Sequence, residues 1–163
     1  MRVATFNINN INKRLDNLLA WLAKAEPDVV SLQELKAEQG HFPAKALRTA
    51  GYEAVWQGER SWNGVAILAR NHAPVLTRTC LPGNPEDHHA RYIEAAVQGV
   101  LITSIYLPNG NRNSTTSWHG SSASLPMPPN SSRAARPWCW QVTTTWCRHR
   151  RTSIRPDRWM TTR

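Results

Sequence analysis

Three polar residues stand where apolar runs end. Asn7 follows Val3-Ala4-Thr5-Phe6, Glu34 follows Val29-Val30-Ser31-Leu32-Gln33, and Tyr106 closes the run from Val100, just before Leu107-Pro108-Asn109-Gly110. Strand ends are where α/β proteins open a crevice and place their sites. An amide, a carboxylate and a phenol brought together there offer a neutral donor and acceptor, an anionic oxygen and a hydroxyl. Each residue also has a purely structural use: the Asn in a turn, the carboxylate as a solvated or helix-capping group, the Tyr before Pro as packing. On the residues alone the structural use is the favoured reading for each.

The segments between them must position these groups, and they read as alternating strands and helices. Leu15, Leu18, Leu19 and Leu22 recur at helical spacing until Pro27 stops the helix. Val29-Val30-Ser31-Leu32 has the length of a buried strand, so the chain begins β-α-β. Pro43 to Ala50, followed by Gly51, is expected to be a short helix. Strands are expected at Glu53–Trp56, Gly64–Leu68, Val75–Thr79, Tyr92–Val97 and Val100–Tyr106, each bounded by Gly, Pro or Asn. The order predicts an α/β sandwich with partly antiparallel pairing.

Four phrases occur in a fixed order: Phe6-Asn7-Ile8-Asn9, Leu32-Gln33-Glu34-Leu35-Lys36, Trp62-Asn63-Gly64-Val65-Ala66-Ile67-Leu68 and Tyr106-Leu107-Pro108-Asn109-Gly110. A lone Gln-Glu carries little information, but the ordered set is specific. It resembles the exodeoxyribonuclease III (AP endonuclease) branch of the endonuclease/exonuclease/phosphatase superfamily, over residues 1 to about 111. The resemblance implies an α/β fold: the N-terminal half of a four-layer α/β sandwich, two β-sheets flanked by helices.

It further implies a metal-dependent phosphodiesterase acting on duplex DNA at 3′ ends and abasic sites, as a monomer. Glu34 matches the metal-binding glutamate, with Mg²⁺ as the expected cofactor and Mn²⁺ as the alternative. A carboxylate sharing its ion with substrate phosphate oxygens is the usual Mg²⁺ arrangement. Asn7 matches the asparagine that orients metal and phosphate, and Tyr106 the tyrosine beside the scissile phosphate. Asn63 and Gly64 match a strand-entry motif near the substrate groove, Asn109 lies in the last phrase, and Arg91 sits in a segment that resembles a family strand. Within the superfamily another phosphoester, a phospholipid or an inositol phosphate, is the alternative substrate. His88 and His89 depart from the family pattern, which favours acidic residues there, and read as an exposed loop.

Charge divides the chain. Residues 1–111 hold 11 basic and 10 acidic residues, whereas residues 112–163 hold nine Arg against Asp157 alone, so nearly all of the +9 lies in the tail. The basic surplus is therefore no footprint of nucleic acid on the first part. The tail also carries five of the eight Trp and two of the three Cys, with no period that builds an element. Cys139, Cys147 and His149 fit no zinc spacing. No apolar run approaches the roughly 20 residues of a membrane span, and Met1 to Asn7 lacks the apolar stretch of a secretory signal. A cytoplasmic protein with free thiols is expected.

The family pattern continues with a Gly-Asp-x-Asn motif that supplies the general base, and later an Asp-His pair; residues 112–163 contain neither. Read one frame over, with the third base of each codon joined to the next two, the tail changes character. Trp and Met have single codons, so Trp138-Cys139 and Trp146-Cys147 must each give Val, and Trp140-Gln141 must give Ala. Permitted codons elsewhere spell an amphipathic helix and then Pro-Val-Val-Leu-Ala-Gly-Asp-Tyr-Asn, the family's continuation. Residues 1–111 thus read as a partial domain and residues 112–163 as an unstructured or poorly packed tail, a frameshift product. As it stands the chain is expected to be an inactive member of an enzyme family. A nucleic-acid-binding fragment, in which tail Arg and Trp contact phosphates and bases, and a product with no independent role are the alternatives.

Overall fold

The computed structural model describes residues 1–81, 83 and 87–107, together with the backbone of two further strands at Cys139–Thr144 and Thr161–Thr162. The β-α-β start is present as β1 (Val3–Asn7), α1 (Leu15–Ala25) and β2 (Val29–Gln33), with β1 and β2 parallel. Leu18 and Leu22 bury one face of α1, while Asp16 in its first turn and Lys24 in its last complement the helix dipole. The helix ends at Glu26, in the left-handed region at φ 44°, whose N–H donates to the Leu22 carbonyl. Pro27 then prevents a further turn.

A short helix α2 (Ala44–Thr49) leads into β3 (Tyr52–Gln57), β4 (Val65–Arg70), β5 (Val75–Arg78), β6 (Tyr92–Val97) and β7 (Val100–Tyr106). The expected α2 is real but shorter, with Pro43 just outside it. Gln98 and Gly99, at φ 51° and 77°, make the tight turn between β6 and β7. Successive positive φ values suit the twist of a two-residue hairpin.

Two sheets result. The first runs β3-β4-β2-β1-β9 and the second β5-β6-β7-β8, where β8 is Cys139–Thr144 and β9 is Thr161–Thr162. Strands β8 and β9 are the described parts of residues 112–163, whose sequence has no period that builds an element. Cys-Trp-Gln-Val-Thr-Thr is rich in residue types that favour strands even without alternation. The open edge of β7 offers it a row of backbone partners.

Strand alternation sorts the apolar residues into two cores. Val30, Leu32, Ala66 and Leu68 face the helices, packed with Leu18, Leu22 and Leu47. Val29, Val65, Ile67 and Ala69 face the second sheet and meet Ile93, Ala95, Val97 and Ile102. Helices, first sheet and second sheet are thus three stacked layers among the described residues. The intersheet face also changes along the strands: Val3-Thr5-Asn7 on β1, Val29-Ser31-Gln33 on β2 and Ile102-Ser104-Tyr106 on β7 all pass from apolar to polar. The polar ends coincide at one rim of the sandwich.

Candidate active site

The rim is shaped by a backbone that few residues tolerate. Glu34 and Lys36 both lie in the left-handed region, at φ 53° and 48°. Such conformations are uncommon for residues other than Gly and persist only where their surroundings hold them. Here Asn10 N–H donates to the Glu34 carbonyl (2.9 Å) on one side, and Leu35 and Lys36 N–H donate to the Gly64 and Asn63 carbonyls (3.1 and 2.9 Å) on the other. Gly64 has φ 105°, and a Cβ there would lie 2.7 Å from the Leu35 Cβ. Glycine is thus required where β4 begins, so that the strand can approach the turn carrying Glu34.

Three side chains converge on the Glu34 carboxylate. Asn7 Nδ2 donates to Oε1 (2.9 Å), Lys36 Nζ lies 3.1 Å from Oε2, and the Tyr106 phenol lies close enough to feel the same carboxylate. Asn7 Oδ1 accepts from the Asn9 N–H (3.2 Å), which fixes the orientation of the amide. Lys36 Nζ also donates to Asn9 Oδ1. Burial first, and then the neighbouring Glu34 charge and hydrogen bond, push the Tyr106 phenol up to about 12. At neutral pH Tyr106 is therefore a protonated donor and not a phenolate.

A second cluster borders the first. Arg91 Nε donates to Asn63 Oδ1 (3.4 Å), and its charge acts on Tyr106. Glu59 accepts from the Ala90 N–H (2.7 Å) and pairs with His89 Nδ1 (3.0 Å), tying the loop before β4 to the loop before β6. Trp62 stands 71% exposed with the Lys36 ammonium 4.5 Å from its ring centre. A cation over an aromatic face is attracted by the ring quadrupole.

Asn7, Glu34 and Tyr106, separate in sequence, are thus brought to one carboxylate. Asn63 is buried and joins the site through its carbonyl to Lys36 and its amide to Arg91; Gly64 acts through its backbone. Asn109, Cys147 and His149 lie outside the described residues, as does the Cys139 side chain. Cys80 is a free, exposed thiol. His88 and His89 are exposed as expected, although His89 has a partner in Glu59. Lys36 and Asn9 were not singled out from sequence. Their signal was only their place in the phrases holding Glu34 and Asn7, two residues after each; the left-handed turns that bring them back to the site are not legible there.

The oxygens gathered here are a carboxylate and amide carbonyls, the ligands of a hard cation rather than of a soft metal. A positive centre already joins two of them, the Lys36 ammonium between Glu34 Oε2 and Asn9 Oδ1. Among the described residues no group of three or more His, Cys, Asp or Glu converges. The residues therefore fit a cation held by one carboxylate and completed by other oxygens, the mode in which Mg²⁺ binds with substrate phosphates. No helix of the described residues is long and apolar enough to cross a membrane.

The model of the Endonuclease/Exonuclease/phosphatase family matches residues 4–158. Exodeoxyribonuclease III of Haemophilus influenzae is 33% identical over 114 residues, which are 68% of this chain and 42% of that protein. Among solved structures, the 3′ phosphatase NExo from Neisseria bound to product DNA hairpin aligns with TM-score 0.64 and 41% identity, covering 68% of this chain and 42% of that one. An AP endonuclease from Archaeoglobus fulgidus aligns with TM-score 0.61 and 34% identity, covering 66% and 41%. The chain spans about two fifths of the length of these relatives.

Proposed function

The chain belongs to the Endonuclease/Exonuclease/phosphatase family, and from that membership we propose that residues 1–111 are the Glu34-bearing part of an exodeoxyribonuclease III-type nuclease, hydrolysing phosphodiesters at DNA 3′ ends and abasic sites with Mg²⁺. One observation carries the reading: Asn7, Lys36 and Tyr106 all engage the Glu34 carboxylate. When bound, the divalent ion would supply charge stabilisation at the phosphoryl oxygens. Glu34 would hold it and Asn7 would orient Glu34. Tyr106, kept protonated, donates a hydrogen bond, and Arg91 and Lys36 are cations suited to phosphate oxygens. Duplex DNA is the proposed partner, in keeping with the nucleases this chain resembles.

None of these residues is a base that activates water. Residues 112–163 lack the Gly-Asp-x-Asn motif, so we read this chain as inactive or nearly so; a positioned base contributes on the order of 10²–10⁴ in rate.

Sequencing the coding DNA across codons 108–116 tests the frame: third bases that cannot spell the decoded string end that reading. A frame-restored chain tests the function. It is expected to cut an abasic duplex with Mg²⁺, to stop on chelation and to lose cleavage with Glu34→Gln. Robust, chelator-sensitive cleavage by the present chain would show that the base lies elsewhere. Salt-dependent DNA binding that vanishes on deleting residues 112–163 would favour the binding-fragment reading instead.

A further inference from the structure

Between the sheets, directly beneath the Glu34 rim, lies a fully buried Gln33. A buried amide costs free energy unless its hydrogen bonds are made, and here partners come from three strands. Its Nε2 lies 2.9 Å from Ser31 Oγ on β2, 3.2 Å from Thr5 Oγ1 on β1 and 3.3 Å from Ser104 Oγ on β7. Thr5 Oγ1 returns toward Gln33 Oε1 at 3.5 Å. Ser104 Oγ in turn donates to the Leu32 carbonyl (3.2 Å), a second crossing between the sheets. Ser31 and Ser104 are themselves fully buried. The network stands beside apolar Val65, its neighbour on β4, at a level where hydrophobic residues would give a dry core.

Its place in the chain is informative. Gln33 immediately precedes Glu34 on the first sheet, and Ser104 lies two residues before Tyr106 on the second. Apolar packing between sheets is non-directional and tolerates sliding, whereas hydrogen bonds fix distance and angle. We propose that Gln33 is a positioning residue: its bond to Ser104 fixes the gap between the sheets at the level where Glu34 and Tyr106 meet. Asn7 and Glu34 belong to one sheet and need no such spacer, while Glu34 and Tyr106 belong to two and do.

That difference supplies the test, which needs no nuclease activity and so stands apart from the functional reading. In the full chain, Gln33→Met keeps the volume and removes the cross-sheet bonds. NMR follows two signals at neutral pH: exchange of the Tyr106 hydroxyl proton, beside Glu34, and exchange of the Asn7 side-chain amide. The Tyr106 proton is expected to exchange about tenfold faster, with the Asn7 amide unchanged. Ser104→Ala, a smaller change, is expected to act in the same direction, and the double variant to do no more than Gln33→Met alone. If Gln33→Met does not fold, Ser104→Ala decides by the same two signals. Unchanged Tyr106 exchange in a folded variant, equal acceleration at Tyr106 and Asn7, or additive effects of the two substitutions would each overturn the proposal.

Discussion

Asn7 Nδ2 reaches Glu34 Oε1 at 2.9 Å because β1 and β2 run parallel in a register that sets Asn7 opposite Gln33, one residue short of Glu34. The left-handed turn at Glu34 then swings the carboxylate back over the end of β1. A carboxylate held in this way is preorganised. Asn7→Ala removes the donor and leaves Lys36 and Tyr106 as the carboxylate's partners. It is expected to cost about 1 kcal/mol in urea unfolding, and on the proposed function to slow the frame-restored nuclease by about 10² or more. Steady-state cleavage of an abasic duplex measures the second effect.

Gly64→Ala tests the close approach at the start of β4. Any Cβ there meets the Leu35 side chain at 2.7 Å and must adopt φ 105°. Strain at such a position costs roughly 1–3 kcal/mol before the clash is counted. Thermal unfolding is expected to show a large loss. Gly83→Ala serves as the control, since nothing lies within 4 Å of its added Cβ, although its own φ of 88° carries some strain.

Much of this was legible in the sequence, for identifiable reasons. Strands β6 and β7 match their expected bounds because strand-favouring residues flank a Gln-Gly turn. Asn7, Glu34 and Tyr106 stood out because each ends an apolar run. What the sequence withheld is pairing across space. Gln33 and Ser104 are 71 residues apart, and no periodicity tells that their hydroxyl and amide meet. The same holds for Glu59, which reads as an ordinary loop carboxylate until the Ala90 N–H and His89 are seen against it. β8 was hidden because its residues do not alternate, and its place depends on the free edge of β7.

Glu59 gives the chain an acid limb. Burial, the largest influence, pushes its carboxyl up, but the Ala90 amide, His89 and Asn63 together outweigh it and hold the group below the ordinary 4.5. For a depressed carboxyl, the stabilisation is present above the unfolded value and is lost as pH falls through the folded one. Stability is therefore expected to fall below about pH 4.5, and Glu59→Gln to flatten that limb. Melting temperature against pH from 3 to 6 checks it; an unchanged acid limb in the variant would show that Glu59 is not the group responsible.

Tyr92 gives the opposite limb. Its phenol is pushed up to about 12, first by burial and then by the Glu94 carboxylate, whose Oε2 accepts its hydrogen bond at 3.0 Å. A raised pKa means that the stabilisation is full below the unfolded value near 10 and disappears as pH climbs toward 12. Tyr106 adds to the same limb. Base-induced unfolding monitored by circular dichroism is expected to begin above about pH 10, and Tyr92→Phe to move it upward.

Lys36 occupies an ambivalent position on the proposed function. Its ammonium lies 3.1 Å from Glu34 Oε2, so it neutralises the carboxylate that would hold a divalent cation, while offering charge to a phosphate. Lys36→Met keeps most of the apolar stem and removes the charge that lies over Trp62. Deleting a like charge beside the site is expected to tighten Mn²⁺ binding by about tenfold, since about 1.4 kcal/mol of removed repulsion suffices. Deleting a phosphate contact is expected to weaken duplex binding and lower its salt dependence by about one counterion. Electron paramagnetic resonance titration of Mn²⁺ and fluorescence anisotropy of a labelled duplex read the two effects separately. Opposite signs mark a lysine standing between the metal and the DNA, whereas weaker binding of both would make Lys36 a support for the Glu34 turn.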